Sequence, residues 1–195
     1  KACQSFEALQ YGIQIHADVI KNGLELDGLV GHSLMHMYTS CGDMEGACIL
    51  FEKLPITNVI TWSTLISGYA EYGFNQEALK YFYQSECQGI SPNSVMFVSA
   101  LRACNNTGCI KQGQHLHTKI IEKGFDHEVV LGNTLIDVYA KCCSLEEAYK
   151  VFQKMPIRTV ESWNSMIKGY GMNDTYACMV DVLAHSRNLH EGDKR

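Results

Sequence analysis

The 195-residue chain carries 16 basic and 21 acidic residues, for a net charge of −5, with 46% hydrophobic residues and 3 prolines. That apolar content fits packed elements rather than a disordered tail, and no run approaches the roughly 18 apolar residues that a membrane span needs. The acidic balance withholds the strong basic field on which affinity for nucleic acid commonly rests.

Taken in chain order, the elements repeat. Residues 1–27 hold Ala2, Cys3, Gly12, His16, Ile20 and Gly23, and these return 101 residues later as Ala103, Cys104, Gly113, His117, Ile121 and Gly124. At the same offset Leu34, Tyr38, Cys41, Ala47, Phe51, Pro55, Trp62, Gly68 and Tyr69 reappear as Leu135, Tyr139, Cys142, Ala148, Phe152, Pro156, Trp163, Gly169 and Tyr170. Self-similarity at a fixed period signals stacked units, each burying its apolar face against its neighbours. The long period is composite, because similar helical pairs begin near Gly28, Val59, Ser94, Val129 and Val160, at steps of 31, 35, 35 and 31 residues.

The first helix of each pair is predicted over 29–40, 60–72, 95–106 and 130–142. Trp62, Leu65, Ile66 and Tyr69 lie at i, i+3, i+4 and i+7 and so share one helix face. Gly73 closes that stripe. Ala78, Leu79 and Phe82 then begin a second apolar face, which Gly89 and Pro92 stop. Tyr81 and Phe82 are adjacent, so one can serve the pair and the other the next pair.

The last unit is irregular. Residues 160–172 read as a first helix without its second, which leaves Trp163, Met166 and Ile167 as an apolar face in need of cover. Tyr176, Met179, Val180 and Leu183 again fall at i, i+3, i+4 and i+7, with Asn173 and Asp174 available as caps, so 174–183 is expected to fold back onto that face. The chain opens without an initiator Met, on residues that match the middle of a later unit, and it reads as an internal segment.

Chemistry-bearing clusters are sparse. The 9 cysteines mostly recur at helical positions without a C-x-x-C pair, which favours small buried hydrophobes over a metal or disulfide framework. His115 and His117 are two apart and point to different helix faces. Phosphate-loop, nucleophile-elbow and zinc-deaminase signatures are missing, and Glu146 and Glu147 lie on a predicted solvent face. Neither catalysis nor a cofactor is indicated.

Two helical-repeat families share this grammar. Trp62, Leu65, Tyr69, Ala78 and Phe82 nearly meet the tetratricopeptide pattern, but Ile66 and Ile167 stand where that family has a glycine. The 35-residue step, the string Trp62-Ser63-Thr64-Leu65-Ile66-Ser67-Gly68-Tyr69 and its echo Trp163-Asn164-Ser165-Met166-Ile167-Lys168-Gly169-Tyr170 resemble pentatricopeptide repeats. The order of lengths is similar to the plant subclass that alternates long, short and standard repeats. On that resemblance 1–27 is a partial long repeat, 28–58 short, 59–93 standard, 94–128 long, 129–159 short and 160–172 a truncated standard repeat. Residues 173–195 then form a displaced repeat helix and tail.

The resemblance implies an all-α fold, a right-handed α-solenoid of antiparallel helix pairs, that binds single-stranded RNA one base per repeat. In the family the fifth and last residues of a repeat read the base and the second packs on it. Carried over, the reading pairs are Ser63 with Asn93, an adenine-type pair, and Asn133 with Thr159, a pyrimidine-type pair. His32 with Asn58 departs from the readable pairs, as does Val98 with Glu128, and Asn164 stands without its last residue. Leu29, Ile60, Val95 and Val130 take the packing place. Lys141 takes the phosphate place, where Ser40, Glu71 and Asn106 stand in the other units.

The same resemblance implies a mitochondrial or chloroplast location. It also implies a part in organellar RNA processing or cytidine-to-uridine editing, with editing-factor proteins as possible partners and no membrane. Local explanations compete: Asn58, Asn93 and Thr159 precede first helices and could be N-caps, while Ile60 and Val130 could be buried in the seam between units. A protein-binding scaffold of tetratricopeptide type and an inactive fragment remain the alternatives.

Overall fold

The computed structural model describes residues 2–172, and among them all regular secondary structure is α-helical. The chain divides into two compact units, Lys1–Asn106 and Thr107–Arg195. The first holds α1 (Ala2–Lys21), α2 (Gly28–Cys41), α3 (Met44–Lys53), α4 (Val59–Glu71), α5 (Asn75–Cys87) and α6 (Ser94–Thr107, all but its last residue). The second holds α7 (Ile110–Glu122), α8 (Val129–Lys141), α9 (Leu145–Lys154) and α10 (Val160–Met172).

The predicted first helices are α2, α4, α6 and α8, each beginning one residue early. The cause is the cap. Asp27 accepts hydrogen bonds from the backbone N–H of Leu29 and Val30, and Asn58 does the same for Ile60 and Thr61. The residue after each cap is therefore already helical. Gly42, Gly73, Gly89 and Gly124 end helices in the left-handed region, with φ from 74° to 82°, as the breaks in the apolar pattern require.

In the first unit α2 pairs with α3 and α4 with α5, while α4 also packs on α2 and α3. Trp62 is fully buried, edge-on to Phe51 with ring centroids 4.7 Å apart. Tyr81 stacks on Tyr69 of its own pair and meets Phe51 of the preceding pair, whereas Phe82 reaches Phe97 of α6. The adjacent aromatics thus serve two interfaces. In the second unit α8 pairs with α9, and α10 packs on both. Phe152 and Trp163 reproduce the Phe51–Trp62 geometry, again at 4.7 Å.

Three recurring residues now have physical reasons. His16 Nδ1 lies 2.7 Å from the Tyr38 hydroxyl and His117 Nδ1 lies 2.9 Å from that of Tyr139. Each pair ties a long-repeat second helix to the following first helix. Burial holds the His117 imidazole below its ordinary pKa, with Lys154 adding to the effect. Gly68 recurs because a Cβ there would meet Thr39 Cγ2 at 2.9 Å and Met44 Cε at 3.0 Å; at Gly169 it would meet Ala140 Cβ at 2.6 Å. Gly68→Val is therefore expected to force α4 away from α2 and α3, costing about 1–3 kcal/mol by overpacking. Urea denaturation of the variant should show that loss.

On the α10 stripe Met166 is buried, Trp163 is half-buried against Phe152 and Ile167 is exposed. Among the described residues α10 meets both helices of the preceding pair, α8 and α9. The proposed fold-back of 174–183 lies outside the described residues. The cysteines are less buried than expected. Cys104 alone among those described is fully buried, Cys41, Cys48, Cys109 and Cys142 are half-buried, and Cys87 and Cys143 are exposed.

Candidate nucleic-acid interface

On α4, Ile60, Ser63, Thr64, Ser67 and Glu71 fall at i, i+3, i+4, i+7 and i+11, opposite the buried stripe of Trp62 and Leu65. This polar face forms the floor of a groove of about 380 Å³, walled by His36, Thr39 and Ser40 of α2 and by Asn93 and Val95 at the start of α6. The groove lies wholly within the first unit. Its rims are apolar: Ile60 is 53% exposed and Val95 51% exposed. An exposed apolar residue at the second place of a unit does not fit burial in an inter-repeat seam. Val130 and Leu29 are exposed likewise.

Ser63 and Asn93, 30 residues apart, meet at the floor. Asn93 Nδ2 donates to Ser63 Oγ at 3.0 Å, and the Ser63 hydroxyl donates to the Val59 carbonyl or, at 3.3 Å, to Asn93 Oδ1. Asn93 Oδ1 also accepts the Met96 backbone N–H at 2.9 Å. Asn93 is therefore an N-cap and a groove residue at once, and the cap fixes which way its amide faces. One Nδ2 hydrogen and one Oδ1 lone pair remain for a ligand, the donor and acceptor set that an asparagine can offer to an adenine edge. Ser63 is only 8% exposed, partly because Asn93 lies over it.

The other sequence-derived pairs are not joined. Asn58 Oδ1 is occupied by the Ile60 and Thr61 N–H groups, while the Thr61 hydroxyl accepts the Asn58 N–H at 2.9 Å, a reciprocal capping box. His32 Nδ1 is buried without a partner. Thr159 bonds with Ser162 at the start of α10, and Asn133 Oδ1 is buried and unpartnered. In both short units the last residue is drawn into capping and the fifth is left alone. Val98 and Glu128 are half-buried, and Asn164 is exposed on α10.

Charge along the groove is unfavourable to phosphate. Lys141 is exposed in the last turn of α8, but its counterparts in the first unit are Ser40 and Glu71, which line the groove, and Asn106, which donates to Asn75. Of the lining residues, His36, Thr39, Thr64 and Ser67 were not singled out from sequence. The signal was present for the two on α4, since both fall on the Ser63 face at helical spacing.

Stacked antiparallel hairpins with recurrent Trp, Gly and cap positions, and a polar groove along the first helices, define an α-solenoid of the helical-repeat class. Residues 32–55, 60–90, 133–159 and 161–176 match the PPR repeat. The chain belongs to the pentatricopeptide repeat family. It is 37% identical over 169 residues to a chloroplastic pentatricopeptide repeat-containing protein of Arabidopsis thaliana, covering 87% of this chain and 27% of that protein. A putative mitochondrial member from the same plant is 36% identical, with the same coverage of 87% and 27%. The chain thus spans about a quarter of the length of these relatives. Its fold is similar to that of the pentatricopeptide repeat protein PPR10, solved in complex with an 18-nt psaJ RNA element. The TM-score is 0.72 at 19% identity, covering 92% of this chain and 27% of that one.

Proposed function

We propose that the chain binds single-stranded RNA along the first-helix groove, one base entering between Ile60 and Val95 to meet Ser63 and Asn93. The observation that carries this reading is the Ser63–Asn93 pair, preset by the α6 cap and flanked by two exposed apolar side chains. The family's RNA-bound neighbour supports it, and the pair favours adenine at this place. Asn133 and Thr159 would take a pyrimidine, and a base at Asn133 would satisfy its unpartnered Oδ1. Organelle-named relatives support a mitochondrial or chloroplast setting.

The finer role is target recognition in RNA processing or cytidine-to-uridine editing, the deamination being supplied by another domain or an editing-factor partner. Titration of labelled single-stranded RNA, against the same sequence as duplex, tests the reading. Binding confined to the single strand is expected, and equal binding to both would refute it.

Glu71 sets the affinity low, because its carboxylate lies in the groove where RNA phosphate would pass. Glu71→Lys is expected to strengthen binding and to steepen the slope of log affinity against log salt by about 0.7, the increment for one added single-strand phosphate contact. Titrations at several salt concentrations give that slope directly.

A further inference from the structure

The second unit carries a thiol arrangement that the first lacks. Cys109 stands just ahead of α7 and Cys142 just beyond α8. The short 123–128 connection makes these helices antiparallel neighbours, and they touch closely: a Cβ on Gly113 would lie 2.8 Å from Val138 Cγ1. Cys109 is four residues before Gly113 and Cys142 four residues after Val138. One helical turn along an antiparallel pair moves both positions in the same direction and onto the same facing surfaces. The Cys142 thiol lies 3.6 Å from the Gly108 carbonyl, against the peptide that leads into Cys109. Both thiols are free and half-buried.

We infer that Cys109 and Cys142 form a reversible disulfide that fastens the start of α7 to the end of α8. The first copy has Ala8 and Cys41 at the matching places, so the link is particular to this unit. It does not depend on the RNA-binding reading. The oxidant is a small disulfide such as oxidised glutathione. A Cys109 thiolate attacks one of its sulfurs and releases one glutathione thiolate; the Cys142 thiolate then displaces the second glutathione and closes the protein disulfide. Two electrons and two thiol protons leave the protein, and two reduced glutathiones form.

The order follows from environment, since burial, then the Cys109 and Cys143 neighbours, push the Cys142 thiol above its ordinary pKa and leave it less thiolate for the first attack. Cys143 is exposed and sits at φ 57° in the left-handed place that Gly42 fills in the first copy. It is the rival partner.

The test equilibrates the folded, reduced chain with glutathione buffers of increasing oxidation, blocks remaining thiols with an alkylating reagent, and maps the peptides. Cys109 and Cys142 should lose alkylation together and appear in one cross-linked peptide, while Cys104 stays reduced. Cys109→Ser should leave Cys142 alkylatable or carrying a single glutathione, and Cys143→Ser should leave the cross-link intact. Oxidation should also slow amide exchange in the first turn of α7. Pairing of Cys109 with Cys143, or loss of alkylation by the two cysteines only after denaturation, would overturn the inference.

Discussion

Trp62→Ala is expected to cost about 3–5 kcal/mol, as removal of a fully buried large aromatic does when the site cannot collapse. Trp62 joins two pairs: it packs edge-on to Phe51 of α3 and at 6.3 Å from Tyr81 of α5. Losing it therefore weakens both the hairpin and its stacking. Against typical domain stabilities of about 5–15 kcal/mol, that is enough to unfold much of the first unit. Trp62→Phe should cost less, because it keeps the ring contact and removes an indole N–H that is buried without a partner. The chain has 2 tryptophans, so in Trp62→Ala fluorescence reports Trp163 alone. In a repeat array, where stability is summed between neighbours, helicity should fall at lower urea than the Trp163 signal. A single coincident transition, unshifted from that of the unsubstituted chain, would contradict the role given to Trp62.

The same residues show why the fold was legible in the sequence. Trp62, Gly68, Phe51 and their copies recur because each sits where two helices must meet, and helical periodicity exposes such positions directly. Ends were legible to within a residue because caps are local chemistry, and Asp27 and Asn58 announce themselves by type. The site was legible differently. Ser63 and Asn93 are 30 residues apart, and nothing in local pattern says that they touch; only the resemblance joined them, and in the fold their side chains lie 3.0 Å apart.

Illegible features depended on competition among neighbours. Asn58 and Thr159 are drawn into caps by Thr61 and Ser162, which leaves His32 and Asn133 alone. A polar residue's type does not reveal which of two partners wins. Cysteine exposure was misjudged for a related reason: Cys87 and Cys143 lie at helix ends, where a small apolar residue is tolerated without burial.

The most direct test of the central claim is base selection at the groove, comparing the chain with Ser63→Asn over a library of single-stranded RNAs varied at one position. That substitution keeps the Asn93 cap and both apolar rims while replacing a short hydroxyl with a longer amide at the floor. The expected result is adenine selected by the unsubstituted chain, and a shift toward a pyrimidine in Ser63→Asn. The expected discrimination is about 1–3 kcal/mol, the scale of one well-formed base contact, with overall affinity changed far less. The same preference in both proteins, or none in either despite binding, would contradict the assignment of Ser63 and Asn93 as the residues that read the base.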